Sequence, residues 1–246
     1  MKLYIFIFFI IFSPTINLAN IIAASIEETS VQIIEQRVLG ADGTLRATKR
    51  YYLNPKNEEI LHGQQIEFFK NGQKRLETNY QHGKLDGVQI EYHQLEGINS
   101  ISRIGHWTDN LKSGRWIWFD ANGERSSECF YKEDKIVGYK RHWDRGKLSQ
   151  LEFYDKNDNI VRLESFYPNG RKSKRGKFKN GVKHGAWTYW DNDGNITSKC
   201  EWKYGEPWSG KCGLPALGDA GSTAGIEVFK EYRNGQVINS GQGVAH

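Results

Sequence analysis

Gly63-Gln-Gln-Ile-Glu-Phe-Phe-Lys-Asn-Gly-Gln-Lys-Arg-Leu-Glu-Thr-Asn-Tyr-Gln-His-Gly-Lys-Leu-Asp-Gly87 holds two short strand-like runs and two glycine turns, one at Asn71-Gly72 and one at Gly83. Asn-Gly tolerates the positive φ that tight hairpin turns require, so the stretch reads as one β-hairpin. It recurs along the chain. First-strand aromatics Phe68, Tyr92, Phe119, Trp143, Tyr167 and Trp190 follow one another at steps of 24, 27, 24, 24 and 23 residues. A second series, Tyr80, Trp107, Tyr131, Tyr154, Phe178 and Trp202, steps by 27, 24, 23, 24 and 24. A period in this range defines a repeat architecture, in which each unit covers its neighbour instead of closing its own core.

The turns keep the same time. Asn71-Gly72, Asn122-Gly123, Asn169-Gly170 and Asp193-Gly194 mark the first turn of their units. Three residues after each second-series aromatic stands Gly83, Asn110, Asp134, Asn157, Gly181 or Gly205, all types that accept left-handed backbone. Boundary glycines at positions 63, 87, 114, 138, 185 and 210, with one missing near Arg162, delimit six units over 63–210. Residues 25–62 form an N-terminal cap and partial repeat, 211–225 a Gly-rich loop, and 226–246 a C-terminal partial repeat and tail. Hairpins joined in sequence give an antiparallel meander whose aromatics fall in rows, because side chains alternate along a strand.

Tyr80-Gln-His-Gly-Lys-Leu-Asp-Gly87 and Phe178-Lys-Asn-Gly-Val-Lys-His-Gly185, each following an Asn-Gly turn, resemble the MORN repeat, and more narrowly the bacterial MORN-repeat variant whose members are often labelled antitoxins. The resemblance covers about 38–240 and is strongest over 63–210. The unit from Gly138 to Val161 departs from it, with Arg145-Gly146 and Asp155-Lys156-Asn157-Asp158 in place of the usual glycines. The expected fold is therefore all-β: an elongated antiparallel meander of about six to eight MORN-like β-hairpin repeats in a single-layer twisted sheet. The resemblance implies an interaction module and carries over no catalytic residue.

Residues 1–24 have the layout of a secretory signal. Lys2 precedes an uncharged run from Leu3 to Phe12, then Ser13-Pro14 and small residues up to Ala23-Ala24. The apolar run is about half the roughly 20 residues a membrane span needs. Cleavage after Ala24 would yield an exported periplasmic or extracellular chain with no transmembrane segment. A net charge of +5 with acids and bases interspersed is too mild to point to nucleic acid.

Candidate chemistry is sparse. Gly205-Glu-Pro-Trp-Ser-Gly-Lys-Cys212 nearly fits a phosphate loop, but Cys212 stands where a hydroxyl should hold magnesium, and Gly205 and Gly210 fall on the repeat grid. Cys129 and Cys200 lie three units apart, too far for a disulfide, whereas Cys200 and Cys212 can meet across a loop; a staple and free thiols stay equally open. The seven histidines repeat no Ser, Cys or carboxylate partner, so neither metal, cofactor nor catalysis is expected. The aromatics remain. If both series cover each other on one face, the residues one position earlier, Trp118, His142, Phe166 and Tyr189, point to the opposite face and form a docking surface. The expected partner is a protein, in an antitoxin- or immunity-like role, with a cell-wall glycan as the alternative.

Overall fold

A computed structural model describes residues 31–95, 100–214 and 226–244. The chain divides into two units, Met1–Gln32 and Ile33–His246, and the sheet belongs to the second. The proposed leader lies outside the described residues. Among those described there are twenty strands and no helix, and all strands join one open antiparallel sheet.

The N-terminal strands are β1 (Ile34–Leu39), β2 (Leu45–Leu53), β3 (Glu59–Leu61) and β4 (Gly63–Phe68). Next come β5 (Lys74–Gln81), β6 (Lys84–Leu85), β7 (Gly87–Tyr92), β8 (Ile101–Thr108), β9 (Leu111–Phe119) and β10 (Arg125–Lys132). The central strands are β11 (Lys135–Ile136), β12 (Tyr139–Asp144), β13 (Lys147–Tyr154), β14 (Ile160–Phe166) and β15 (Lys172–Lys179). The last are β16 (Val182–Trp190), β17 (Ile196–Lys203), β18 (Glu206–Leu214), β19 (Ile226–Arg233) and β20 (Gln236–Val244). Pairing follows chain order, the meander that hairpin repeats dictate. β18 continues through Leu214, so the strand runs four residues past the glycine expected to end the repeats.

The boundary glycines are places where the chain bends inside a strand. β3 and β4 both pair with β2 and are one strand broken at His62; β6 and β7 both pair with β5 and are broken at Asp86. Gly63 and Gly87, at the restart of each, hold φ of 84° and 112°, a region closed to most side chains.

The turns divide into two kinds. Asn71-Gly72 is not a two-residue turn: it lies inside a five-residue one, where the Phe69 amide donates to the Gln73 carbonyl at 2.8 Å and the Gly72 amide to the Phe69 carbonyl at 3.0 Å. Two-residue turns occur at the other end of the strands, as at His82-Gly83 and Glu133-Asp134, with positive φ at both residues. Around β13 the order reverses. Arg145-Gly146 becomes the two-residue turn and Asp155–Asn159 the five-residue one, so Asp158 (φ 66°) rather than Asn157 takes the left-handed position. Asp158 then does what its counterparts do. Its Oδ1 accepts from the Ile136 amide at 2.9 Å, as Asn110 Oδ1 accepts from Leu85 and Asp134 Oδ1 from Lys112, both at 2.7 Å. These bonds stitch each turn to the unit before it.

Directly paired residues share a face of the sheet. The most buried apolar side chains, Trp116, Trp187, Cys129, Cys200, Cys212 and Trp202, gather on one of them, here termed the tryptophan face. Among the described residues no second layer lies above it, and each large indole is buried by lying over its own sheet. Gly105 in β8 and Gly176 in β15 make the room: a Cβ added at either would overlap the ring of Trp116 or Trp187. Neither glycine has a positive φ, so what selects them is the absence of a side chain.

Substituting Gly105→Ala or Gly176→Ala should therefore destabilise the fold by about 1–3 kcal/mol through overpacking. Urea unfolding would measure this, and the cost at Gly105 should shrink in a Trp116→Leu background, which a clash with any other group would not produce.

Candidate functional site

Cross-strand register places the expected docking residues. Pairing runs Arg103 to Trp118, Trp118 to Ser127, Ser127 to His142, His142 to Gln150, Gln150 to Ser165, Ser165 to Lys174 and Lys174 to Tyr189. Trp118, His142 and Tyr189 thus lie in one row crossing the strands, with neighbouring strands about 4.8 Å apart. Phe166 does not join them. Ser165 holds its place, because the register shifts between Ser165 and Phe166, and Tyr167 is drawn into the following turn with its amide on the Arg171 carbonyl. The first-strand count is off by one there: Phe166, not Tyr167, corresponds to Trp190.

The face assignment of the two aromatic series also needs correcting. Trp107 and Tyr131, of the second series, contact Trp116 edge-on at 5.5 and 5.8 Å between ring centroids, and Trp118 lies 6.2 Å from the same ring. The second series therefore shares a face with the expected docking row. First-series members point the other way: Tyr92 hydroxyl donates to Glu77, and Trp143 lies under Arg125 at 4.3 Å, both on the opposite face. Strand alternation explains this, since adjacent residues such as Trp118 and Phe119 must diverge.

Trp116 and Trp187, the two indoles most deeply buried, did not stand out in the 24-residue period. They repeat at 71 residues, as do their surroundings. Trp116 Nε1 donates to the His106 carbonyl at 3.2 Å, and Trp187 Nε1 to the Lys177 carbonyl at 3.0 Å. Lys112 Nζ sits over Trp116 and Tyr131 at 5.3 and 5.1 Å, and Lys183 Nζ over Trp187 and Trp202 at 4.6 and 4.3 Å. Phe178 and Tyr189 flank Trp187 as Trp107 and Trp118 flank Trp116. Two copies of one aromatic nest, each capped by a lysine, therefore occupy the tryptophan face. Burial lowers the pKa of Lys183, with Lys174 nearby adding to the effect.

The copies differ in sulfur chemistry. Cys200 is disulfide-bonded to Cys212, with Cα atoms 4.8 Å apart, stapling β17 to β18. Its counterpart Cys129 is a free, buried thiol whose pKa is pushed up by burial. The near phosphate loop at Gly205 is extended strand from Glu206 onward, so its backbone amides are engaged in a ladder.

Between the nests lies a polar cluster. Glu152 accepts from Tyr154 hydroxyl and from Gln150 Nε2, each at 2.7 Å, and its other neighbour is His142 Nε2 at 3.2 Å. His142 beside it, opposed by burial and aided by Tyr154, holds the Glu152 carboxyl down at about 2; burial and Glu152 push the Tyr154 phenol well above its ordinary value. Ser165 Oγ is buried without a hydrogen-bond partner. Among the described residues no three His, Cys, Asp or Glu side chains converge as a metal site, and no helix is long and apolar enough to cross a membrane.

Residues 61–82, 112–133 and 183–204 match the family described as MORN repeat variant. The second and third matches hold the central ring of each nest, Trp116 and Trp187, with its capping lysine, while Trp107 and Phe178 lie just before them. These three segments are similar to that repeat, and the succession of hairpins makes the chain a repeat protein. No curated protein matches the chain as a relative.

Because the folded pKa of Glu152 lies below its ordinary 4.5, its stabilisation is complete above about 4.5 and is lost as pH falls towards about 2. The unfolding midpoint should drop across that window, and Glu152→Gln should flatten the drop; an unchanged acid profile in the variant would show that other carboxylates set it.

Proposed function

We propose that this chain is a non-catalytic protein-binding module that docks its partner across the tryptophan face, along the row from Trp118 through His142 to Tyr189. The observation that carries this reading is the doubled nest. Two matching arrangements of rings, 71 residues apart and in one register, present the half-buried rings of Trp118 and Tyr189 at equivalent positions. Rigid aromatic rings with polar edges, held by packing beneath them, contribute large contact area at little entropic cost, which is why they anchor protein interfaces. Lys140 Nζ lies over Trp118 at 5.0 Å and adds a cation to the same surface.

The narrower form of the reading is an antitoxin- or immunity-like role, in which occluding a partner is itself the activity. The signal-like residues 1–24 support action outside the cytoplasm, and the Cys200–Cys212 disulfide is of the kind that persists in oxidising compartments. An immunity protein suits that location better than an intracellular antitoxin. A second reading, binding of a cell-envelope glycan, is favoured by one feature: Ser127, His142, Gln150 and Ser165 form a polar floor between the aromatic ends of the row.

The chain from residue 25 would be used to capture partners from an envelope extract, and the affinity of each purified candidate measured with wild type and with Trp118→Ala/Tyr189→Ala. Hot-spot rings predict a loss of about thirtyfold or more for the double variant. Equal affinity would place the interface elsewhere, and co-sedimentation with purified cell wall, lost in the same variant, would favour the glycan.

A further inference from the structure

The face opposite the tryptophans changes character along the chain. Its central row reads Ile66, Glu77, Ile90, Ile104 and Ile117 through β9, then Glu128, Arg141, Leu151, Glu164, Arg175, Thr188, Lys199 and Lys211 from β10 to β18. The later half already binds carboxylates. Glu128, 4% exposed, pairs with Arg115, with Arg125 at 3.1 Å and with Arg141 at 2.7 Å. Burial raises its pKa, but the hydrogen bonds from Arg115, Arg141 and Arg125 outweigh burial and hold the group ionised. Glu164, 8% exposed, lies among Lys172 at 3.2 Å, Arg175 at 3.4 Å and Arg162 at 3.7 Å. Each buried carboxylate thus holds three cations, leaving two positive charges in surplus at each centre. Lys177, paired across the ladder with Arg162, and Lys199 in the central row extend the positive surface and are exposed.

We infer that this half of the opposite face, from β9 to β18, is a second docking surface whose occupant is an acidic polypeptide segment, rich in Asp and Glu. Two features select carboxylates over nucleic acid. Three rings of this face are already covered, Phe130 being left half exposed: Arg125 lies over Trp143 at 4.3 Å, Arg141 over Tyr139 at 4.7 Å and Arg162 over Phe153 at 3.6 Å. A base therefore finds no free ring face among these three, and stacking is what single-stranded nucleic acid needs. A guanidinium lying over a ring keeps its N–H edge available, and that planar fork fits a carboxylate bidentately. The buried glutamates fix the arginines in place beforehand, so an incoming acid meets donors whose side-chain freedom is already lost.

This surface is separate from the tryptophan face, so it stands or falls independently of the docking row proposed above. The test uses the whole chain from residue 25 and a fluorescein-labelled decaglutamate peptide, read by anisotropy at low and raised salt. Binding should weaken with salt, and Arg175→Gln/Lys177→Gln/Lys199→Gln should weaken it about tenfold or more, since each removes one exposed charge. Trp118→Ala/Tyr189→Ala should leave it unchanged. Lys199→Gln alone, at an exposed position, gives the reading should the triple variant unfold. No difference between wild type and these variants overturns the site. Tighter binding of an oligothymidylate of equal length, or of phosphatidylserine vesicles, overturns its assignment to a polypeptide.

Discussion

The described residues form one sheet that has nothing to bury its side chains against except itself, and the packing on both faces answers that constraint. Two indoles supply the answer on one face. Trp116 and Trp187 lie flat over the backbone of the preceding strand, which is possible only because Gly105 and Gly176 project nothing into the space. A tryptophan laid this way removes a large apolar area from water without a second layer, at roughly 25 cal/mol per Å² buried. The rings on either side, and the lysine stems above them, complete a shallow core that is one side chain thick. The later half of the opposite face solves the same problem electrostatically, with carboxylates sunk among arginines and a lysine, and a buried carboxylate is tolerated only with that degree of pairing.

Turns carry the second constraint, the joining of one unit to the next. Wide turns gather at one end of the strands and two-residue turns at the other, and the left-handed residues of the latter reach back to the preceding unit through Asn110 and Asp134. Where the turn lengths exchange around β13, the bond to the earlier unit survives through Asp158, because the left-handed carboxamide or carboxylate position survives, moved by one residue. The tryptophan nests lie on either side of this exchange. In their place the intervening unit puts the His142, Glu152 and Tyr154 cluster, so this break in the repeat coincides with the polar centre of the row.

Much of this was legible in the residues. The period of the aromatics, the Asn-Gly dipeptides and the boundary glycines suffice to predict an all-β meander of hairpins, because turn chemistry and alternation are local properties. Of the four residues expected to share one row, Trp118, His142 and Tyr189 do so. Phe166 failed because counting residues cannot see a register shift, and Tyr167 looks like the better match to the period although a turn claims it. Trp116 and Trp187 were missed for a related reason. Their signal lay in a 71-residue recurrence of Gly105 with Gly176, Trp116 with Trp187 and Cys129 with Cys200, which a search for the 24-residue unit passes over.

The repeat and its hairpin character are thus determined by sequence alone, since both depend on backbone preferences within a few residues. Which face each aromatic row occupies, which glycine yields to which indole, and which arginines converge on Glu128 were decided only by the tertiary structure. These depend on cross-strand register, and register is set by bulges that add one residue to one strand and not to its partner. A single such residue turns a row of side chains to the other face, and no local feature of the sequence states where the count will slip.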